Sequence, residues 1–122
     1  MKVLMKSLSQ NRIKWIDKII VVSDSQNRKL MDQIIASISH QNRIDCVNGS
    51  TTRHRSISLG IEAISLCQII PDIVVIHDGA RPLVDETLLN QLVSSALKYG
   101  VLDAFFHSFI KIKYFVNITN NI

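Results

Sequence analysis

Two stretches of this 122-residue chain carry residue types in an order that can do chemistry. The sharper one runs from Ile73 to Val84: four β-branched aliphatics, Ile73 to Ile76, then His77, Asp78, Gly79, Ala80, Arg81 and Pro82. The aliphatic run predicts a strand, and since it has no polar face it predicts one buried on both sides, in the middle of a parallel sheet. His77 and Asp78 fall at its carboxyl end, Gly79 allows close approach of a ligand or a neighbouring backbone, and Pro82 fixes the exit. Open α/β sheets bind ligands outside the carboxyl ends of their strands, so a carboxylate placed there meets a ligand or its metal ion. Asp78 is therefore the leading candidate. An aspartate directly after a strand also forms turns by bonding its own backbone, and the residue alone does not separate the two roles.

The second stretch is Gly49 to Ser56. Asn48-Gly49 signals a turn, and Ser50, Thr51 and Thr52 supply hydroxyls able to cap a helix in whose first turn Arg53 and Ser56 would lie. A helix N-terminus presents unpaired N–H groups and the positive end of a dipole, so hydroxyls and an arginine there suit an anion or a nucleotide. An ordinary capped helix with solvated arginines is the plainer alternative.

The elements that must position these residues alternate. Leading up to Gly49, the sequence predicts a helix from Met1 to about Gln10, a buried strand at Ile19 to Val22, a helix from Gln26 to His40 striped by Leu30, Ile34, Ile35 and Ile38, and a short strand at Ile44 to Val47. Beyond it come a helix whose core face uses Ile57, Ile61, Ile64 and Leu66, the strand at Ile73, and a helix from Asp85 to Tyr99 with Leu88, Leu89, Leu92, Val93, Ala96 and Leu97 inward. Gly100 is its stop. Strand and helix in alternation predict an α/β fold with a parallel sheet and right-handed crossovers. From Val101 the chain changes character, with a strand-like alternation at Ile110 to Tyr114 and four phenylalanines that need covering by the sheet or a partner.

Length and 47% hydrophobic content allow one compact domain. The net charge of +4 is modest and scattered, with no basic block longer than Arg53 to Arg55, which speaks against a nucleic-acid surface. No apolar run approaches a membrane span and the N-terminus does not read as a secretory signal, so the expected compartment is the cytosol. Cys46 and Cys67 have neither metal-ligand nor redox-pair spacing and read as reduced, buried thiols.

Taken together in this order and spacing, Gly49-Ser50-Thr51-Thr52-Arg53-His54-Arg55-Ser56 and Val75-Ile76-His77-Asp78-Gly79-Ala80-Arg81-Pro82 resemble the IspD-like cytidylyltransferases, the methylerythritol-phosphate and ribitol-phosphate enzymes, and are nearest the animal ribitol-phosphate branch. The resemblance covers roughly Lys2 to Gly100. It implies a Rossmann-like nucleotide-diphospho-sugar transferase fold, present as a parallel-sheet fragment over residues 1–100, with a divergent tail over 101–122. It implies transfer of CMP from CTP to a sugar-alcohol phosphate with release of pyrophosphate. By the same resemblance Asp78 would hold a magnesium ion on the CTP phosphates, and Ser56 with the backbone at Ser50 and Thr51 would contact the cytidine. Gly79 and Ala80 would line its pocket, Arg53 would order the nucleotide loop, Arg81 would support the site, and His77 would be structural.

The departures from the family pattern set a further expectation. The family opens with a buried strand and a glycine-rich loop bearing basic residues, and continues past the stretch matched here with a dimerisation arm and late substrate residues. This sequence has neither, and Gly49, Gly60, Gly79 and Gly100 are too dispersed to form such a loop. Negligible turnover by this chain alone is expected. The rival reading, from a different class, is a non-catalytic interaction protein built on the α/β remnant and its phenylalanine-rich tail; magnesium-dependent CTP binding separates the two.

Overall fold

A computed structural model of the chain describes residues 16–38, 41–67, 73–78, 85–99 and 114–119. The elements are β1 (Lys18–Ser23), α1 (Arg28–Ala36), a 3-10 turn (Gln41–Arg43), β2 (Ile44–Asn48), α2 (Arg53–Ser65), β3 (Val74–Asp78), α3 (Glu86–Tyr99) and β4 (Tyr114–Thr119). The four strands form one parallel sheet in the order β2-β1-β4-β3. The α/β alternation predicted from periodicity is present. The helix predicted over Met1 to Gln10 lies outside the described residues.

β1 is the strand buried on both faces. Its odd residues Ile19 and Val21 join Ile16, Met31, Ile38, Ile44, Leu89 and Val93 in one core, while Ile20 and Val22 meet Ile64 in a second core on the opposite face. This two-sided burial is why its run is wholly apolar. Ile19 is 0% exposed, so Ile19→Ala is expected to lower unfolding free energy by about 2–5 kcal/mol through lost transfer energy and the cavity left behind. Denaturant unfolding monitored by circular dichroism checks this, with the exposed Leu66→Ala as a control expected within about 0.5 kcal/mol of wild type.

β3 does not take the central place its sequence predicts. Among the described residues it is an edge strand, paired to β4 alone, with Val74 and Val75 half-buried and Ile76 42% exposed. Among the described residues no strand pairs the side of β3 that faces away from β4. An all-apolar run reports that neither face is polar; it does not report how many strands flank it. β4 starts at the last residue of the alternating stretch Ile110 to Tyr114, and 110–113 lie outside the described residues.

The helix faces also depart from the predicted stripes. In α1 the inward row is Met31, Ile34 and Ile35, continued by Ile38 just past the helix end, whereas Leu30 is exposed. In α2 the buried row is Ser56, Gly60 and Ile64, whereas Ile61 and Leu66 face solvent. Small residues at two of the three buried positions leave room for the helix to lie close over β1, β2 and β4. In α3 Leu89, Val93 and Ala96 are buried and Leu88 and Leu97 are exposed. Asp85 caps this helix, its carboxylate accepting from the N–H groups of Thr87 and Leu88 at 2.7 and 3.1 Å.

Candidate functional site

The parallel strands bring their carboxyl ends to one side of the sheet. β1 ends at Ser23, opposite Asn48 of β2 and Thr119 of β4, and Ile118 of β4 stands opposite both Val22 and Asp78. Asp78 is therefore level with the end of β1 and two strand spacings away, about 10 Å across the sheet. The chain runs from β1 through α1 to β2 on one side, then over to β3 on the other. The crevice beyond the ends of β1, β4 and β3 lies where those connections diverge, the usual ligand position in an open α/β sheet.

The loop after β2 is locked to β1 and to α2. The Gly49 N–H donates to the Ser23 carbonyl at 2.7 Å. A Cβ at Gly49 would lie 3.0 Å from Ser56 Oγ, 3.2 Å from Val22 Cγ1 and 3.4 Å from the Ser23 carbonyl oxygen, so the close approach requires glycine for space. Ser56 is 0% exposed. Its hydroxyl accepts from the Ser50 N–H at 3.0 Å and donates to the Ser50 carbonyl at 3.3 Å, bridging both backbone groups of one loop residue. Thr52 closes the cradle as the N-cap of α2, extended in backbone and accepting from the Arg55 N–H through Oγ1.

What remains open is a row of exposed groups at a helix start. Ser50, Thr51, Thr52, Arg53, His54 and Arg55 are all exposed, and α2 has no acidic side chain in its first turn to offset its positive end. The arrangement suits a polyanion whose neighbouring polar group is held by loop backbone. Of the residues singled out by sequence, Ser50, Thr51, Arg53 and Ser56 converge on this loop, and Asp78 stands at the same end of the sheet. Gly79, Ala80 and Arg81 lie outside the described residues. Ser56 faces inward to the Ser50 backbone, so its hydroxyl bears on anything in the crevice through the loop it shapes.

Other residues shape the same edge and were not singled out. The Asp24 carboxylate accepts from the Asn27 N–H at 2.7 Å and from Asn27 Nδ2 at 2.9 Å, turning the chain from β1 into α1. Those bonds, the Asn27 backbone N–H foremost, hold the Asp24 carboxyl below its ordinary value. The spacing Asp24 to Asn27 after a buried run is a turn signal readable in the sequence. Arg28 reaches across, its Nη1 donating to Asn48 Oδ1 at 3.3 Å while its Nε pairs with Asp32. Cys46 and Cys67 are free and half-buried; burial pushes the Cys46 thiol up, and its sulfur lies 3.7 Å from Ser23 Oγ. Among the described residues no helix is long and apolar enough to cross a membrane.

Comparison with known proteins finds relatives of this chain in sequence. Residues 2–106 match the family model described as IspD: 2-C-methyl-D-erythritol 4-phosphate cytidylyltransferase. The chain is 38% identical over 98 residues to D-ribitol-5-phosphate cytidylyltransferase of Homo sapiens, covering 76% of this chain and 22% of that protein. It is 41% identical over 99 residues to the protein of the same name from Xenopus tropicalis, covering 76% and 24%. It is 34% identical over 86 residues to 2-C-methyl-D-erythritol 4-phosphate cytidylyltransferase of Clostridium acetobutylicum, covering 70% and 36%. The chain thus spans about a quarter of the length of the animal relatives it matches. No solved structure matches it.

Proposed function

The chain belongs to the IspD family of cytidylyltransferases, and from that premise we propose that it supplies the nucleotide cradle for transfer of CMP from CTP to a sugar-alcohol phosphate. The acceptor phosphate oxygen attacks the α-phosphorus of CTP, the bond to the β-phosphate breaks, and pyrophosphate leaves. Ribitol 5-phosphate is the favoured acceptor because the animal relatives with that substrate in their names match at 38 and 41% identity. Methylerythritol phosphate, named for the family and for the bacterial relative at 34%, is the other member of the same chemical class. The cytosol is the proposed compartment.

The observation that carries this reading is the Ser56 bridge. A fully buried hydroxyl fixes the N–H and C=O of Ser50 at the lip of the crevice, and base selection needs backbone groups held at fixed positions. The Thr51 backbone joins that of Ser50 on the cytidine, the α2 N-terminus offers its positive end to the phosphates, and Arg53 orders the nucleotide loop. The family resemblance adds Gly79, Ala80 and Arg81, which lie outside the described residues, to the proposed pocket.

Magnesium is the ion we propose for Asp78. Among the described residues no three His, Cys, Asp or Glu side chains gather to cage a metal; Asp24 is engaged in the turn into α1 and Asp85 in capping α3. A single carboxylate, Asp78, suits an ion that takes one or two carboxylates and completes its shell with phosphate oxygens and water. Held there, magnesium would neutralise triphosphate charge. The 122 residues contain no glycine-rich loop, so this stretch by itself is proposed to bind CTP and to turn it over negligibly.

Calorimetric titration of the 122-residue chain with CTP, ATP and GTP in magnesium tests the proposal. CTP is expected to bind at least about tenfold more tightly than either purine nucleotide, a difference of ~1.4 kcal/mol. Equal affinity for all three, or none for CTP, would sink the cytidylyltransferase reading of this cradle and favour the interaction-protein alternative.

A further inference from the structure

We propose that β4 is the element that joins the two halves of the nucleotide site, setting Asp78 at a fixed level against the Gly49–Ser56 cradle; the inference rests on the proposed function for its binding readout. The cradle belongs to β1, through the Gly49 N–H on the Ser23 carbonyl and the fit of Gly49 against Val22. Asp78 belongs to β3. Among the described residues β1 and β3 share no ladder. Each pairs with β4, over Lys18–Ser23 on one side and Val74–Asp78 on the other.

The chain order makes this a late closure. From β1 the chain steps outward to β2, then crosses back past β1 to β3, leaving one strand position between them. β4, the last of the described strands, fills it. Ile118 stands opposite both Val22 and Asp78, so one residue of β4 fixes the level of both sides of the crevice. A one-residue slip of β3 and β4 together along β1 would carry Asp78 about 3.3 Å along the strand axis. That displacement would take a carboxylate out of reach of phosphates held by the cradle. The tail, which the nucleotide motifs do not include, thereby acquires a positioning role.

Cysteine cross-linking tests the placement without any ligand. With Cys46 and Cys67 replaced by alanine, the pairs Val21→Cys/Asn117→Cys and His77→Cys/Asn117→Cys join register partners in adjacent strands, about 5 Å apart at Cα and within reach of a disulfide. Both are expected to close within one chain under mild oxidation. Failure of either pair in a chain of native helix content overturns the proposal, and so does closure only between two chains, which assigns the strand to a second copy. In binding, Asn117→Pro, which removes an N–H from a central strand, is expected to weaken magnesium-dependent CTP affinity at least about tenfold, while Asn117→Val stays within about threefold. Proline binding as well as wild type overturns the proposal. Loss of CTP binding in the parent chain counts against the proposed function instead, and the cross-links still decide where β4 lies.

Discussion

Asp78→Asn is expected to abolish the magnesium dependence of CTP binding. Affinity in magnesium should fall at least about tenfold, to the level the parent chain shows in excess EDTA, with the EDTA value itself changed less than about twofold. The substitution keeps shape and removes charge. Asparagine retains a carbonyl oxygen, but a hard divalent cation bound to a triphosphate gains most from an anionic oxygen, and no acidic cluster among the described residues replaces it. Asp78 ends an edge strand whose ladder to β4 is made by backbone, so the fold should tolerate the change. Asp24→Asn is the useful contrast. Asp24 accepts two bonds from Asn27 and serves the turn into α1, so its loss should leave the magnesium effect intact. If Asp78→Asn binds CTP with undiminished magnesium dependence, Asp78 is a turn residue and the metal carboxylate must be sought elsewhere.

That contrast shows what the sequence carried. The order of strands and helices from Lys18 to Tyr99 is legible because each element is a run with its own period and its own stop: Ile19 to Val22 closed by Ser23-Asp24-Ser25, Ile44 to Val47 closed by Asn48-Gly49. The level of Asp78 against the cradle was not legible. It depends on which strand lies between β1 and β3, and that strand comes from a tail whose alternation at Ile110 to Tyr114 gives no partner. Tertiary pairing, unlike periodicity, leaves no local trace. Helix faces failed for a related reason. Ile61 and Leu66 read as core by type, yet the sheet receives Ser56, Gly60 and Ile64, because a helix lying close to a sheet selects small residues over large ones. Ser56 is the clearest case. Its type and place beside Arg53 fit a direct ligand contact, while its burial and its two bonds to Ser50 make it the fastener of the loop.

Gly49 and Ser56 should therefore behave as one unit, and a double-mutant cycle measures this. Gly49→Ala alone sets a methyl group 3.0 Å from Ser56 Oγ and 3.2 Å from Val22 Cγ1. Val22 is locked in the core, and Ser56 Oγ is held by both its Ser50 bonds. Neither gives way cheaply, so the expected loss of stability is about 1–3 kcal/mol, the range for overpacking. Ser56→Ala alone removes both bonds to the Ser50 backbone, each worth about 0.5–1.5 kcal/mol. Combined, the two should cost less than their sum, because removing Oγ opens the space the new methyl group needs; a coupling of about 0.5–2 kcal/mol is expected from groups in contact. Denaturant midpoints of the four proteins give the cycle. Strict additivity would mean that Ser56 Oγ is not what excludes a side chain at Gly49. CTP affinity should follow a different pattern: relief of the clash restores stability without restoring the bridge, so the double variant should bind as weakly as Ser56→Ala. Binding that recovered along with stability would leave the Ser50 backbone no part in holding the nucleotide.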